Sequence, residues 1–173
     1  YRIANEHTVT KISSAKMETK FGEFDVHTYK DSISGSLHLA FTKGEIVADI
    51  PLLVRVHIPN TVRDICEVYN SSRTSWSFGD ALKKIAEEGN GVAVLLSGED
   101  YGQSMEQNIA NILTDGSEAN QTNWGGSDLT IGTGSQILRD LGVGQMRLLS
   151  FPAKFNAISG FDLEVVEFVA FEK

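Results

Sequence analysis

The residues that could do metal or acid–base chemistry are four histidines, one cysteine and a scatter of carboxylates. His7, His27, His38 and His57 share no paired spacing and have no cysteine beside them. Cys66 stands alone, so no zinc site assembles from the pattern. Gly132-Thr133-Gly134 lacks the third glycine and the preceding strand of a dinucleotide fingerprint, which leaves a weak signal for phosphate binding. Serine, histidine and aspartate are all present, yet no strained nucleophile turn sets a serine against a base. Glu99, Asp100 and Asp128 are the only candidates for a hydrolase using another metal or none, and nothing in their spacing recommends them. On motifs alone the chain is a soluble α/β domain.

Charge narrows the function classes. A formal net charge of −8 opposes general nucleic-acid binding, which rests on phosphate neutralisation by Lys and Arg. Residues 85–138 contain no Lys or Arg, while Glu87, Glu88, Glu99, Asp100, Glu106, Asp115, Glu118 and Asp128 lie among them. A polyphosphate site ordinarily offers cations or a metal, so this middle third is poorly suited to a triphosphate. For most of these carboxylates the expectation is a solvated acidic face. No apolar run is long enough to cross a membrane as a helix, and nothing at the start reads as a signal peptide. With its single cysteine, the chain reads as cytoplasmic.

The elements that must carry these residues follow from periodicity. At 173 residues and 41% apolar, the chain is expected to form one globular domain with or without an appendage. Residues 1–18 are polar, weakly patterned and open without an initiator Met. They read as a linker or the tail of a preceding domain, with the folded domain over 19–173. Alternation predicts a strand over 21–29, turn residues over 31–35 and a strand over 37–42 as its hairpin partner. A β-rich block over 46–56 is interrupted at Pro51. Residues 78–88 are patterned as a short amphipathic helix closed by Gly89, and 92–96 as a buried strand. A helix is expected over 101–113, a long loop over 114–134, a helix over 135–141 and a strand over 146–150. A helix after Pro152 and a strand over 163–171 complete the chain. The fold class expected is mixed α/β, with a β-rich N-terminal half and an α/β C-terminal half.

Several segments, taken in order, resemble GTP cyclohydrolase II of riboflavin biosynthesis. They are Thr19-Lys20-Phe21-Gly22-Glu23-Phe24, Leu53-Val54-Arg55-Val56-His57, Ala81-Leu82 with Ile85-Ala86-Glu87-Glu88-Gly89, Glu118-Ala119-Asn120, Gln136-Ile137-Leu138-Arg139-Asp140-Leu141-Gly142-Val143 and Arg147-Leu148-Leu149. Together they cover the chain from about residue 18 to its end. The start, Tyr1-Arg2-Ile3-Ala4-Asn5-Glu6, is similar to the junction that joins a 3,4-dihydroxy-2-butanone 4-phosphate synthase domain to a cyclohydrolase domain in two-domain riboflavin enzymes.

The resemblance implies a zinc ion held by three cysteines, which lowers the pKa of a bound water for ring opening. The matching positions here are Asn60, Ser72 and Thr74, neutral side chains that cannot stand in for thiolates, and Cys66 does not rescue them. A glutamate–glycine–arginine run that helps hold nucleotide becomes Glu99-Asp100-Tyr101. The acidic proton acceptor and the arginine that attacks the α-phosphate become Ser127 and Leu129. Ser150 and Lys154 match a threonine and a lysine that contact GTP, so Glu99, Ser150 and Lys154 form a nucleotide-binding relic. Arg55 and His57 are expected to pack or pair within the fold. The region before Glu118 is about five residues short of the family pattern.

The resemblance therefore implies a degenerate, catalytically inactive cyclohydrolase-like domain with no catalytic residue, metal or cofactor of its own. It would serve as the structural or dimerisation partner of an N-terminal synthase domain, in a homodimer. Mg²⁺ is expected for that synthase domain, and neither nucleic acid nor membrane for this one. Two alternatives stand beside it: a regulatory module binding a nucleotide or metabolite, and a residual GTP hydrolase.

Overall fold

A computed structural model describes residues 7–98, 101–117, 128–150 and 162–172. Its frame is one mixed seven-stranded sheet: β1 (Val9–Thr19), β2 (Gly22–Asp31), β3 (Leu37–Lys43), β4 (Leu52–His57), β5 (Gly91–Leu95), β6 (Gln145–Leu149) and β7 (Glu164–Val169), in the order β1-β2-β3-β5-β4-β6-β7. Neighbours run antiparallel from β1 to β5 and parallel from β5 through β4 and β6 to β7. The helices are α1 (Thr61–Asp64), α2 (Phe78–Glu88), α3 (Met105–Leu113) and α4 (Asp128–Asp140).

The parallel centre explains its own sequence. β4 and β5 are covered on both faces and read as nearly continuous apolar runs. Alternate residues feed two cores. Val54, Val56, Val92, Val94 and Leu148 pack with Ile137 and Leu138 of α4, whereas Leu53, Ala93 and Leu149 pack with Ala81, Leu82 and Ile85 of α2. Helix α2 has the predicted bounds: Ser77 caps its start by accepting from the Asp80 amide, and Gly89, at φ 88°, ends it in the left-handed region.

Two expectations are corrected. The segment expected to be a linker supplies an eleven-residue edge strand, β1, paired with β2 along its length. It has no apolar alternation because only Val9 is buried, so backbone ladder bonds hold it, and Lys11 and Lys16 stand on an edge that is otherwise open to pairing. Its start is pinned by Gln136 of α4, whose Oε1 accepts from the Thr8 and Val9 amides at 2.9 and 3.2 Å. Second, α4 begins at Asp128, inside the stretch expected to be a loop. Gly132, Thr133 and Gly134 are poor helix formers, but here the packing decides. A Cβ on Gly134 would lie 3.0 Å from Val56 Cγ1, so the glycine is what lets the helix approach β4. The two glycines read as a weak phosphate fingerprint therefore lie within a helix packed on the sheet. The predicted helix over 101–113 starts later, at Met105, behind a capping box of Ser104 and Gln107. The helix expected after Pro152 falls in a region outside the described residues, as do residues 118–127 of the expected loop. Among the described residues no helix is long and apolar enough to cross a membrane.

Candidate functional site

Arg55 and His57, two apart on β4, point to the α2 side of the sheet and meet there. The Arg55 guanidinium lies 3.0–3.1 Å from His57 Nδ1 and donates to the Leu149 carbonyl at 2.9 Å and the Trp76 carbonyl at 3.2 Å. Because Nδ1 accepts, the ring proton sits on Nε2 and is donated to Asp64 Oδ2 at 2.8 Å. The Asp64 carboxylate also accepts from the backbone amides of Asn60 (2.7 Å) and Phe78 (3.0 Å), tying β4, α1 and the start of α2 together.

Electrostatics fixes the protonation state of this chain. Burial lowers the His57 pKa to about 4, with the Arg55 charge adding to burial and the Asp64 hydrogen bond opposing it. Burial also lowers Arg55 to about 9, leaving it a cation at neutral pH. For Asp64 burial works against ionisation, but the His57 and Asn60 hydrogen bonds and the Arg63 charge hold its carboxyl well below the usual range. The result is a cation and an anion bridged by a neutral imidazole. Each member is engaged by protein, as the sequence reading expected for Arg55 and His57.

The positions matched to zinc ligands lie beside this chain. Asn60 caps α1: its Oδ1 accepts from the Arg63 amide at 3.0 Å, and its Nδ2 donates to the Asn108 carbonyl of α3 at 3.0 Å. Thr74 gives both its amide and its hydroxyl to Asp115 Oδ1, at 3.1 and 2.8 Å. Ser75 does the same to Oδ2, at 3.3 and 2.6 Å. Ser72 donates its amide to Asn70 Oδ1 at 2.9 Å, and its carbonyl lies against Gly116. Arg73, between Ser72 and Thr74, is sandwiched by the Tyr69 and Phe171 rings at 3.7 and 3.9 Å and bridges to Asp80. Among the described residues no group of three or more His, Cys, Asp or Glu is arranged to hold a metal ion.

Of the other predicted site residues, Ser150 donates its backbone amide to the Val169 carbonyl at 3.2 Å. Tyr101, in the place matched to an arginine, is buried. Its hydroxyl donates to Thr133 at 2.8 Å, and its ring meets His38 edge-on. Leu129 belongs to α4, but its side chain, like Glu99, Ser127 and Lys154, lies outside the described residues. Sequence reasoning missed Asp64 and Asp115. Asn60 four residues before Asp64 could have been read as a helix cap. Asp115 was grouped with a solvated acidic face, and its burial overturns that for this residue. Glu88 of the same stretch pairs with Arg147 at 3.0 Å.

Comparisons with known proteins converge on one family. The profile of GTP cyclohydrolase II matches residues 10–170. The chain is 44% identical over 172 residues to a 3,4-dihydroxy-2-butanone 4-phosphate synthase of Pseudomonas aeruginosa, covering 99% of this chain and 46% of that protein. It is 38% identical over 178 residues to the riboflavin biosynthesis protein RibBA of Aquifex aeolicus, covering 96% and 43%. The crystal structure of RibBX, a two-domain 3,4-dihydroxy-2-butanone 4-phosphate synthase from A. baumannii, superposes with a TM-score of 0.69 at 34% identity, covering 99% of this chain and 43% of that one. The chain thus spans a little under half the length of these relatives.

Proposed function

The chain belongs to the GTP cyclohydrolase II family, and we propose that its work there is structural: a catalytically silent domain that supports an attached 3,4-dihydroxy-2-butanone 4-phosphate synthase. The observation that carries this reading is the Asp115 carboxylate, whose two oxygens take four hydrogen bonds from Thr74 and Ser75. Where the family resemblance asks for thiolates, this chain has neutral groups already committed: the Asn60 amide to Arg63 and Asn108, and the Thr74 hydroxyl to Asp115. These residues do not fit a zinc ion, which needs anionic or imidazole donors free to turn toward it. The loop they sit on is instead held by hydrogen bonds and by the stacking of Arg73.

Support for the synthase partner comes from the relatives: those of that name extend well beyond the matched region. In such a protein the synthase domain would carry the reaction and its Mg²⁺, and this domain would add folded mass and contact surface, in a cytoplasmic homodimer.

Two measurements test the reading on the purified chain: GTP consumption followed by chromatography, and zinc content by mass spectrometry. The expected result is no turnover above a buffer blank and substoichiometric zinc. GTP conversion at the rate of an active cyclohydrolase, or one tightly held zinc per chain, overturns it.

A further inference from the structure

We propose that Arg63 and Asn108, where α1 packs on α3, bind a free hydrogen phosphate ion. The proposal goes beyond the structural role above and gives the domain a ligand. Asn60 joins the two residues: its Oδ1 accepts from the Arg63 amide at 3.0 Å, and its Nδ2 donates to the Asn108 carbonyl at 3.0 Å. Each side chain leaves one buried atom unmatched. Asn108, 2% exposed, has no donor for its Oδ1, and Arg63, with a side chain 13% exposed, has no acceptor for its Nε. One is a neutral acceptor and the other a cationic donor. Asp64 does not serve Arg63. Its Oδ1 stays 3.6 Å from Nε and accepts from the Phe78 amide, while its Oδ2 accepts from His57 and Asn60. Buried polar atoms are ordinarily paired, and a bond left unmade costs most where one group is charged.

Charge makes the missing partner an anion. Arg55 and Arg63 are both cations at neutral pH, and the charge of each opposes protonation of His57. Among the described residues Asp64 is the only carboxylate acting on Arg55 or His57, so two cations share one anion. A net positive cluster thus lies under the surface of a chain whose total charge is −8. A water would donate to Asn108 Oδ1 but leave the charge unbalanced. A carboxylate would balance the charge but bring no hydrogen to Asn108. Hydrogen phosphate does both: its charged oxygens accept from Arg63, and its O–H donates to Asn108 Oδ1. The slight exposure of both side chains suits the free ion better than a phosphate group on a larger molecule. Neither residue is among Glu99, Ser150 and Lys154, the positions matched to nucleotide contacts.

Isothermal titration calorimetry of the full chain at pH 7.5, in chloride buffers of matched ionic strength, tests the site with inorganic phosphate. One phosphate should bind per chain. Sulfate has the charge but no O–H at this pH, and should bind at least ~10-fold more weakly. Glycerol phosphate should also bind more weakly than the free ion. Arg63→Gln should weaken phosphate binding by about 30-fold or more, the loss expected when a buried charged partner is removed. Asn108→Leu should lower phosphate to the affinity of sulfate. Phosphate should raise the melting temperature of the wild type and leave that of Arg63→Gln unchanged, a difference that a merely structural arginine would not produce. The comparison of phosphate with sulfate needs no variant, so it decides the matter even if a substitution prevents folding. No saturable binding up to about 20 mM phosphate overturns the proposal. So does sulfate that binds as tightly as phosphate, glycerol phosphate that binds more tightly, or an Arg63→Gln chain that keeps its affinity. Absent phosphate binding sinks this site alone; GTP turnover or bound zinc sinks the structural reading whether or not phosphate binds.

Discussion

Asp115 accepts hydrogen bonds from both the backbone amide and the hydroxyl of Thr74, a residue 41 positions earlier in the chain. With the matching pair from Ser75, one carboxylate closes the loop between α1 and α2 onto the end of α3. Asp115→Ala leaves four donors short of an acceptor in a site only 8% exposed at its centre. The cost should be about 3 kcal/mol, toward the upper end for a buried charged hydrogen-bond acceptor. Asp115→Asn keeps one acceptor oxygen and turns an NH₂ toward the other pair of donors, so it should cost nearly as much. Urea denaturation of both variants checks this. A loss below 0.5 kcal/mol, or full rescue by added zinc, would show that the carboxylate does not hold the loop.

The His57 imidazole has a consequence for acid stability. Burial depresses its folded pKa to about 4, below the ordinary 6.5, so between those values the unfolded chain binds the extra proton. Stability is therefore full above about pH 6.5 and falls as the pH drops toward 4, by on the order of 3 kcal/mol from this group. Asp64, also depressed, adds its own loss only below the usual carboxylate range. His57→Gln can still accept from Arg55 and donate to Asp64. It should be less stable at pH 7.5, and its melting temperature should change much less between pH 7 and 5. Equal slopes in the two proteins would remove His57 from the account.

Much of the sheet was legible because its central strands are buried on both faces. Val54, Val56, Val92 and Val94 announce themselves by type alone, and Gly89 marks the end of α2. The edge strand β1 was not legible: its residues face solvent, and a ladder of backbone bonds leaves no trace in side-chain periodicity. Helix α4 was half hidden because Gly132 and Gly134 read as loop, whereas they serve a close approach to β4 that depends on a strand some eighty positions away. At the candidate site, the positions of Asn60 and Thr74 followed from resemblance. What they bind did not, since Asn108 and Asp115 lie far along the chain and carry no local signal.

Asn60 separates two roles that a single substitution would confuse. Its Oδ1 caps α1 and its Nδ2 bonds the Asn108 carbonyl, both from a side chain in a residue 2% exposed. Asn60→Ala loses both and should cost about 2 kcal/mol. Aspartate is as good a cap as asparagine in an open helix, yet Asn60→Asp should be the more damaging here. It would leave the Asn108 carbonyl without its donor and set a second carboxylate beside Asp64, which already takes the Asn60 amide at 2.7 Å. Thermal melts at pH 7.5 rank the two. If the aspartate variant proves the more stable, capping outweighs the tie to α3.

Gly134 lies where helix α4 packs on Val56 of β4, and size there should be felt steeply. A Cβ would meet Val56 Cγ1 at 3.0 Å and Cγ2 at 3.6 Å, so Gly134→Ala requires the valine to yield by a few tenths of an ångström. Alanine also stiffens the helix, by about 1 kcal/mol relative to glycine, so the two effects should nearly cancel. Leucine has no such offset. Its branch would have to enter a core formed by Val54, Val56, Val94 and Ile137, at about 3 kcal/mol or more from overpacking. Chemical denaturation of both variants distinguishes packing from propensity. A leucine variant as stable as the alanine one would mean that α4 can lift from β4 at little cost, and that the glycine is not what sets their distance.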